Sequence, residues 1–87
     1  MSLPIIYIKP GCPWCNEALD FFKSAGVALD VRNVLQSAEL MQEMKSISGQ
    51  SLTPTFSYED FVVADFSVDE FKTALASRPD MAAKLKL

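Results

Sequence analysis

The residues of this chain best able to do chemistry stand together in Lys9-Pro10-Gly11-Cys12-Pro13-Trp14-Cys15, and Cys12 and Cys15 are its only cysteines. Their spacing puts both sulfurs on one face of a helix, near enough to bridge. The reactive form of a cysteine is the thiolate, and a free cysteine, with a pKa of about 8.5, is mostly thiol at neutral pH. Three local features are expected to lower that value for Cys12. It lies at a helix N-terminus, where unpaired N–H groups carry partial positive charge. Lys9 adds a full positive charge nearby, and the Cys15 thiol, one turn on, can donate to the Cys12 thiolate. Cys15 opens an apolar stripe with Ala18, Leu19 and Phe22 and is expected to be shielded. Cys12 is therefore the predicted nucleophile and Cys15 the resolving thiol. Attack by Cys12 on a disulfide makes a mixed disulfide, and Cys15 then releases the reduced product by closing a Cys12–Cys15 bridge.

Absences narrow the field. The chain has no histidine, so a cysteine–histidine nucleophile pair is impossible. One chain cannot assemble a four-ligand zinc site from cysteines and histidines, and no metal site is expected. A rival of another class is a non-catalytic binding module, or a zinc or iron–sulfur carrier in which two chains share four cysteines. A C-x-x-C pair near a β-α-β pattern reads first as redox chemistry. The net charge is −3, and no basic cluster is dense enough to track a phosphate backbone, so no nucleic-acid partner is expected. No apolar run is long enough to cross a bilayer, and the start Met-Ser-Leu-Pro lacks the marks of a secretory signal. The expectation is a cytoplasmic monomer with no membrane partner. The 87 residues, 49% of them hydrophobic, suit a single domain over 1–87 with an efficient small core.

The elements that must position the cysteines follow from periodicity. Pro4 to Ile8 is a β-branched run suited to a buried strand. Pro13 fits the first turn of a helix that ends at Gly26. Val27, Leu29 and Val31 alternate with Ala28, Asp30 and Arg32, which predicts a second strand, parallel to the first through a right-handed crossover. Ser37 is the predicted N-cap of a second helix with Leu40, Met44 and Ile47 inward, ended by Gly49. Thr55 to Tyr58 and Phe61 to Ala64 predict a hairpin with the two-residue link Glu59-Asp60, a poor pair for a tight primed turn, which leaves a looser link as the alternative. Ser67 and Glu70 form a capping box, and Phe71, Ala74 and Leu75 give the last long helix its inner face. Residues 79–87 form a short helix or a frayed tail. The fold class is α/β, in the order β-α-β-α-β-β-α, with a four-stranded mixed sheet and helices on both faces.

A second signal lies at Leu52-Thr53-Pro54-Thr55-Phe56. Proline is tolerated at a strand start, and an X-Pro bond adopts the cis form readily. A cis Thr53–Pro54 bond would expose the Thr53 backbone beside the sulfurs, able to pair with an incoming peptide.

With Tyr7 to Cys15, Thr53-Pro54 and this element order, the chain resembles the glutaredoxins of the thioredoxin-fold superfamily across nearly its whole length. The resemblance implies a dithiol thiol–disulfide oxidoreductase acting on protein disulfides or glutathione mixed disulfides. Glutathione would be a co-substrate, with no tightly bound cofactor. It implies that Lys9 meets a glutathione carboxylate and that Trp14 lines the site. Gln50 would also bind glutathione, Thr53 would pair through its backbone with the glutathione cysteine, and Pro54 would be the family's cis-proline. After the fourth strand the family generally has a Gly-Gly pair and then an acid that binds the glutathione amino group. Here the stretch reads Ala64-Asp65-Phe66-Ser67. Asp65, in a binding loop with Phe66, either supplies that charge from a shifted position or repels glutathione's carboxylate. The Val62 to Phe66 segment also resembles redoxins reduced by thioredoxin reductase, which makes that flavoprotein an alternative partner.

Overall fold

The computed structural model describes residues 3–87. Met1 and Ser2, which the expected 1–87 domain and the reading of the chain's start include, lie outside the described residues. Four strands, β1 (Ile5–Ile8), β2 (Asp30–Asn33), β3 (Thr55–Tyr58) and β4 (Phe61–Ala64), form one sheet in the order β2-β1-β3-β4. β1 pairs parallel with β2 and antiparallel with β3, and β3 pairs antiparallel with β4. Helices α1 (Pro13–Ser24), α2 (Ala38–Ser48), α3 (Val68–Ala76) and α4 (Pro79–Leu85) complete the chain.

Register assigns the side chains to two faces. Val31, Ile6, Phe56 and Val63 stand opposite one another across the strands, as do Arg32, Tyr7, Thr55 and Ala64. Side chains alternate along a strand, so the two rows face opposite ways. Ile6 and Phe56 pack with Ala18 and Phe22 of α1, Phe71 and Leu75 of α3, and Met81 and Leu85 of α4. On the other face Tyr7 packs with Val34 and with Met44 of α2.

The helix ends follow their sequence signals. Ser37 caps α2 through the Glu39 N–H, and Gly49 ends it with φ 71°. Ser67 and Glu70 make the reciprocal pair of a capping box on α3. Three expectations change, and two alternatives left open are decided. The second strand begins at Asp30 rather than Val27, because Val27 and Leu29 pack on the main core before the chain joins the sheet. Val31 is 48% exposed, since β2 is an edge strand with no neighbouring strand on its outer side. Ile47 is 40% exposed; Met41, beside Met44, takes the inward place instead. The hairpin is tight, with Tyr58 opposite Phe61 and only Glu59-Asp60 between them. Glu59 adopts φ 55°. Arg78 and Lys84 hold the turn from outside by pairing with Asp60 and Glu59. Residues 79–85 are helical, not frayed, because Met81 and Leu85 are buried in the main core.

Four strand ends converge at the end of the sheet nearest the cysteines. β1 and β2 finish there, β3 starts there, and β4 finishes there. The loop carrying Cys12, the Thr53–Pro54 loop and Asp65 therefore share one end of the molecule.

Candidate active site

β1 delivers the chain to this end, and Gly11, at φ 76°, makes a turn that a side chain would oppose. Cys12 is the N-cap of α1, with φ −97° and ψ 107°. An N-cap usually offers an oxygen to the first free N–H groups of its helix. Here a sulfur does so: Cys12 Sγ accepts the Cys15 N–H at 3.2 Å. Pro13 occupies the first turn, where a missing N–H leaves nothing unpaired.

Thr53 closes the other side of the sulfur. The Cys12 thiol donates to Thr53 O at 3.8 Å, and Thr53 Oγ1 donates to Cys12 Sγ, also at 3.8 Å. The Thr53–Pro54 bond is cis, and both residues are buried. Cys12 keeps 8% of its surface exposed and Cys15 only 1%.

The two thiols shift in opposite directions. Burial pushes the Cys12 thiol up. Hydrogen bonds from the Cys15 thiol, the Cys15 backbone and the Thr53 hydroxyl, with the charge of Lys9, outweigh it and leave the value below that of an ordinary thiol. The Cys15 thiol is raised by burial first and then by its hydrogen bond to Cys12. Hydrogen bonds to the charged form thus outweigh desolvation at one sulfur and not at the other. Lys9 contributes least among the influences named for Cys12. The Thr53 hydroxyl is a contributor that sequence reading missed, having considered only that residue's backbone; a hydroxyl next to the site proline was the signal available.

The remaining candidates divide. Trp14 is 51% exposed and, with Cys12 and Pro13, lines an apolar groove of about 320 Å³. Lys9 is exposed and acts on Cys12 through its charge. Asp65 is half-buried with φ 50°, directly after β4 and at the same sheet end as Thr53. Phe66 is not in the groove. It is 1% exposed and packs against Phe71, because the start of α3 folds its ring into the main core. The Gln50 amide is turned inward: Nε2 donates to Ser48 Oγ at 2.9 Å and to Thr55 Oγ1 at 3.0 Å, and Oε1 accepts the Leu52 N–H.

A four-stranded β2-β1-β3-β4 sheet with a dithiol at the start of its first helix, and a Thr-Pro loop against the first sulfur, defines a thioredoxin-fold protein. The chain belongs to the glutaredoxin family, whose model matches residues 5–63. It is 31% identical over 65 residues to a glutaredoxin-like protein of 8.6 kDa from a rubredoxin operon of Clostridium pasteurianum, itself uncharacterised; the match covers 75% of this chain and 87% of that one. A crystal structure of a glutaredoxin from Archaeoglobus fulgidus superposes with a TM-score of 0.74 at 24% identity, covering 86% of this chain and 87% of that one. A thioredoxin-like protein superposes with a TM-score of 0.73 at 25% identity, covering 82% of this chain and 97% of that one. Family and fold together support a thiol–disulfide oxidoreductase. Among the described residues, no helix is long and apolar enough to cross a membrane.

Proposed function

We propose that this protein is a dithiol oxidoreductase that reduces protein disulfides or glutathione mixed disulfides, with Cys12 as nucleophile and Cys15 as resolving thiol. The observation that carries the reading is the asymmetry of the pair. Cys12 Sγ is held by the Cys15 N–H and the Thr53 hydroxyl, with its value lowered, while Cys15 is shielded with its value raised. The Cys12 thiolate attacks one sulfur of a disulfide R–S–S–R′, forms a Cys12–S–S–R bond and expels R′S⁻, which takes up a proton. Cys15 then loses its proton and attacks Cys12 Sγ, which releases RS⁻ and closes the Cys12–Cys15 bond. Once Cys12 is in a disulfide its thiolate no longer opposes ionisation of Cys15, and burial is the main influence left.

Two electrons must return to the bridge, and two molecules of glutathione supply them by becoming glutathione disulfide. On this reading Lys9 meets a carboxylate of glutathione, Asp65 meets its ammonium, Trp14 flanks the groove and the Thr53 backbone pairs with its cysteine. The site is placed in the cytoplasm, where glutathione is abundant and reduced. The second reading, with thioredoxin reductase as donor, is favoured by Ser67. It stands where the family's acid stands, and its hydroxyl is engaged as the N-cap of α3.

The test is turnover of a small glutathione mixed disulfide and of an insulin-type protein disulfide, each with glutathione or with thioredoxin reductase and NADPH. Cys12→Ser abolishes turnover with every donor, whereas Cys15→Ser retains a monothiol reaction on the mixed disulfide alone. Full activity in Cys12→Ser would overturn the assignment. Turnover only with the reductase would replace glutathione as donor and leave the dithiol chemistry standing.

A further inference from the structure

Family resemblance assigns Gln50 to the ligand, but its amide is already committed. Both Nε2 protons are donated, to Ser48 Oγ and Thr55 Oγ1, and Oε1 accepts the Leu52 N–H. A primary amide has two protons to donate, so none is left for a carboxylate. The three partners surround Thr53-Pro54. Ser48 is the last residue of α2 and anchors itself by donating to Met44 O. Thr55 is the first residue of β3, fully buried, and its hydroxyl donates to Leu52 O at 2.9 Å. Leu52 is thus gripped at its N–H by Gln50 and at its carbonyl by Thr55, while Gln50 also holds Thr55. The next residue, Thr53, presents its carbonyl and hydroxyl to Cys12 Sγ.

We infer that Gln50 is a positioning residue: with Thr55 it clamps the 50–55 loop so that the Thr53 hydroxyl donates to the Cys12 sulfur, and it does not contact substrate. Gln50 touches no reacting atom and acts through Thr53, which does. The direction of the Cys12 shift agrees, since the Thr53 hydroxyl is among the groups that favour the thiolate. Apolar replacement of Gln50 or of the Thr55 hydroxyl frees the loop, and the hydrogen bond from Thr53 is weakened or lost.

The inference rests on the dithiol reading, but its test does not use turnover. Alkylation of the reduced protein with iodoacetamide across a pH series, with mass mapping of Cys12, reads that sulfur directly. Gln50→Leu, Thr55→Val and Thr53→Val are each expected to slow Cys12 labelling at pH 7 by about two- to tenfold, the effect of one hydrogen bond of ordinary net strength. The rise with pH moves to higher pH in all three. Thr55→Ser keeps the hydroxyl and restores the native profile. In Gln50→Leu combined with Thr53→Val, labelling is no slower than in Thr53→Val alone, because both act on one hydrogen bond. A native labelling profile in Gln50→Leu, with or without a raised KM for a glutathione mixed disulfide, would overturn the inference. So would additive slowing in the double variant. Should Gln50→Leu fail to fold, the contrast between Thr55→Val and Thr55→Ser decides: equal profiles reject the clamp. Loss of all disulfide turnover in the native protein, with these shifts intact, would reject the dithiol reading and leave the clamp in place.

Discussion

On one face of the sheet Phe71 sits among Phe21, Phe22, Phe56, Phe61 and Phe66, with ring centroids 5.0 to 6.2 Å away. On the other, Tyr7, Val34 and Met44 form a small apolar cluster bordered by polar groups. The Tyr7 hydroxyl donates to Glu43 at 2.6 Å, Arg32 pairs with Glu43 and Asp30, and Gln50 ties Ser48 to Thr55. Burial of rings is large and non-directional, so the first face supplies most of the cohesion. Hydrogen bonds contribute less net energy but fix direction. The second face accordingly ends in the loop that aims Thr53 at the sulfur. Stability and placement are thus divided between the two sides of one sheet.

The sharpest way to break this comparison is Phe71→Ala. It removes the ring shared by five neighbours and is expected to destabilise the protein by about 3–5 kcal/mol, read by urea denaturation. A loss under about 1 kcal/mol would mean that the aromatic face does not dominate. Met44→Ala, in the smaller cluster, should cost about 2 kcal/mol, the low end for a buried methionine. A greater loss than that of Phe71→Ala would invert the comparison.

The sulfurs sharpen it from another direction. A lowered value means that Cys12 carries more thiolate than an ordinary thiol at every pH below its titration, and the raised value at Cys15 means less. At pH 7 iodoacetamide should label Cys12 at least about tenfold faster than Cys15. As pH rises, Cys12 should label first, below the ordinary thiol range, and Cys15 only above it. Equal rates would show that the hydrogen bonds to Cys12 do not outweigh its burial. The smallest effect expected is that of Tyr7→Phe. The Tyr7 hydroxyl is held far above the usual phenol range by burial and by the Glu43 carboxylate, and so stays protonated as a donor. Removing it should lower stability by about 1 kcal/mol, seen as a small fall in the urea midpoint. The Cys12 labelling profile should not move, because the Tyr7 hydroxyl shares no hydrogen-bond partner with the Gln50 clamp. A shifted profile would show that the polar groups of the α2 face act on the sulfur as one unit.

Elements with a strong local signal were legible in the sequence. The capping box at Ser67 and Glu70, the caps at Ser37 and Gly49, and the stripe of Cys15, Ala18 and Phe22 all depend on neighbours a few residues away. Features set by neighbours far along the chain were not. Val31 has the right type for a core strand but lies at a sheet edge, and Ile47 has the right spacing on α2 but faces solvent. The tight Glu59-Asp60 turn is steadied by cations on Arg78 and Lys84, well beyond it in sequence. Phe66 and Gln50 were assigned to the groove by resemblance; one ring belongs to the core and one amide to the loop.

Sequence alone determined that two thiols would sit one turn apart at the mouth of a helix, with the second on its apolar side, because helical period and capping are local properties. Only the tertiary structure decided that a hydroxyl lies against the first sulfur. Cys12 and Thr53 meet across 41 positions of chain. Strand register, and the hydrogen bonds that hold the 50–55 loop, bring that hydroxyl to the sulfur, and no pattern within either segment encodes the meeting.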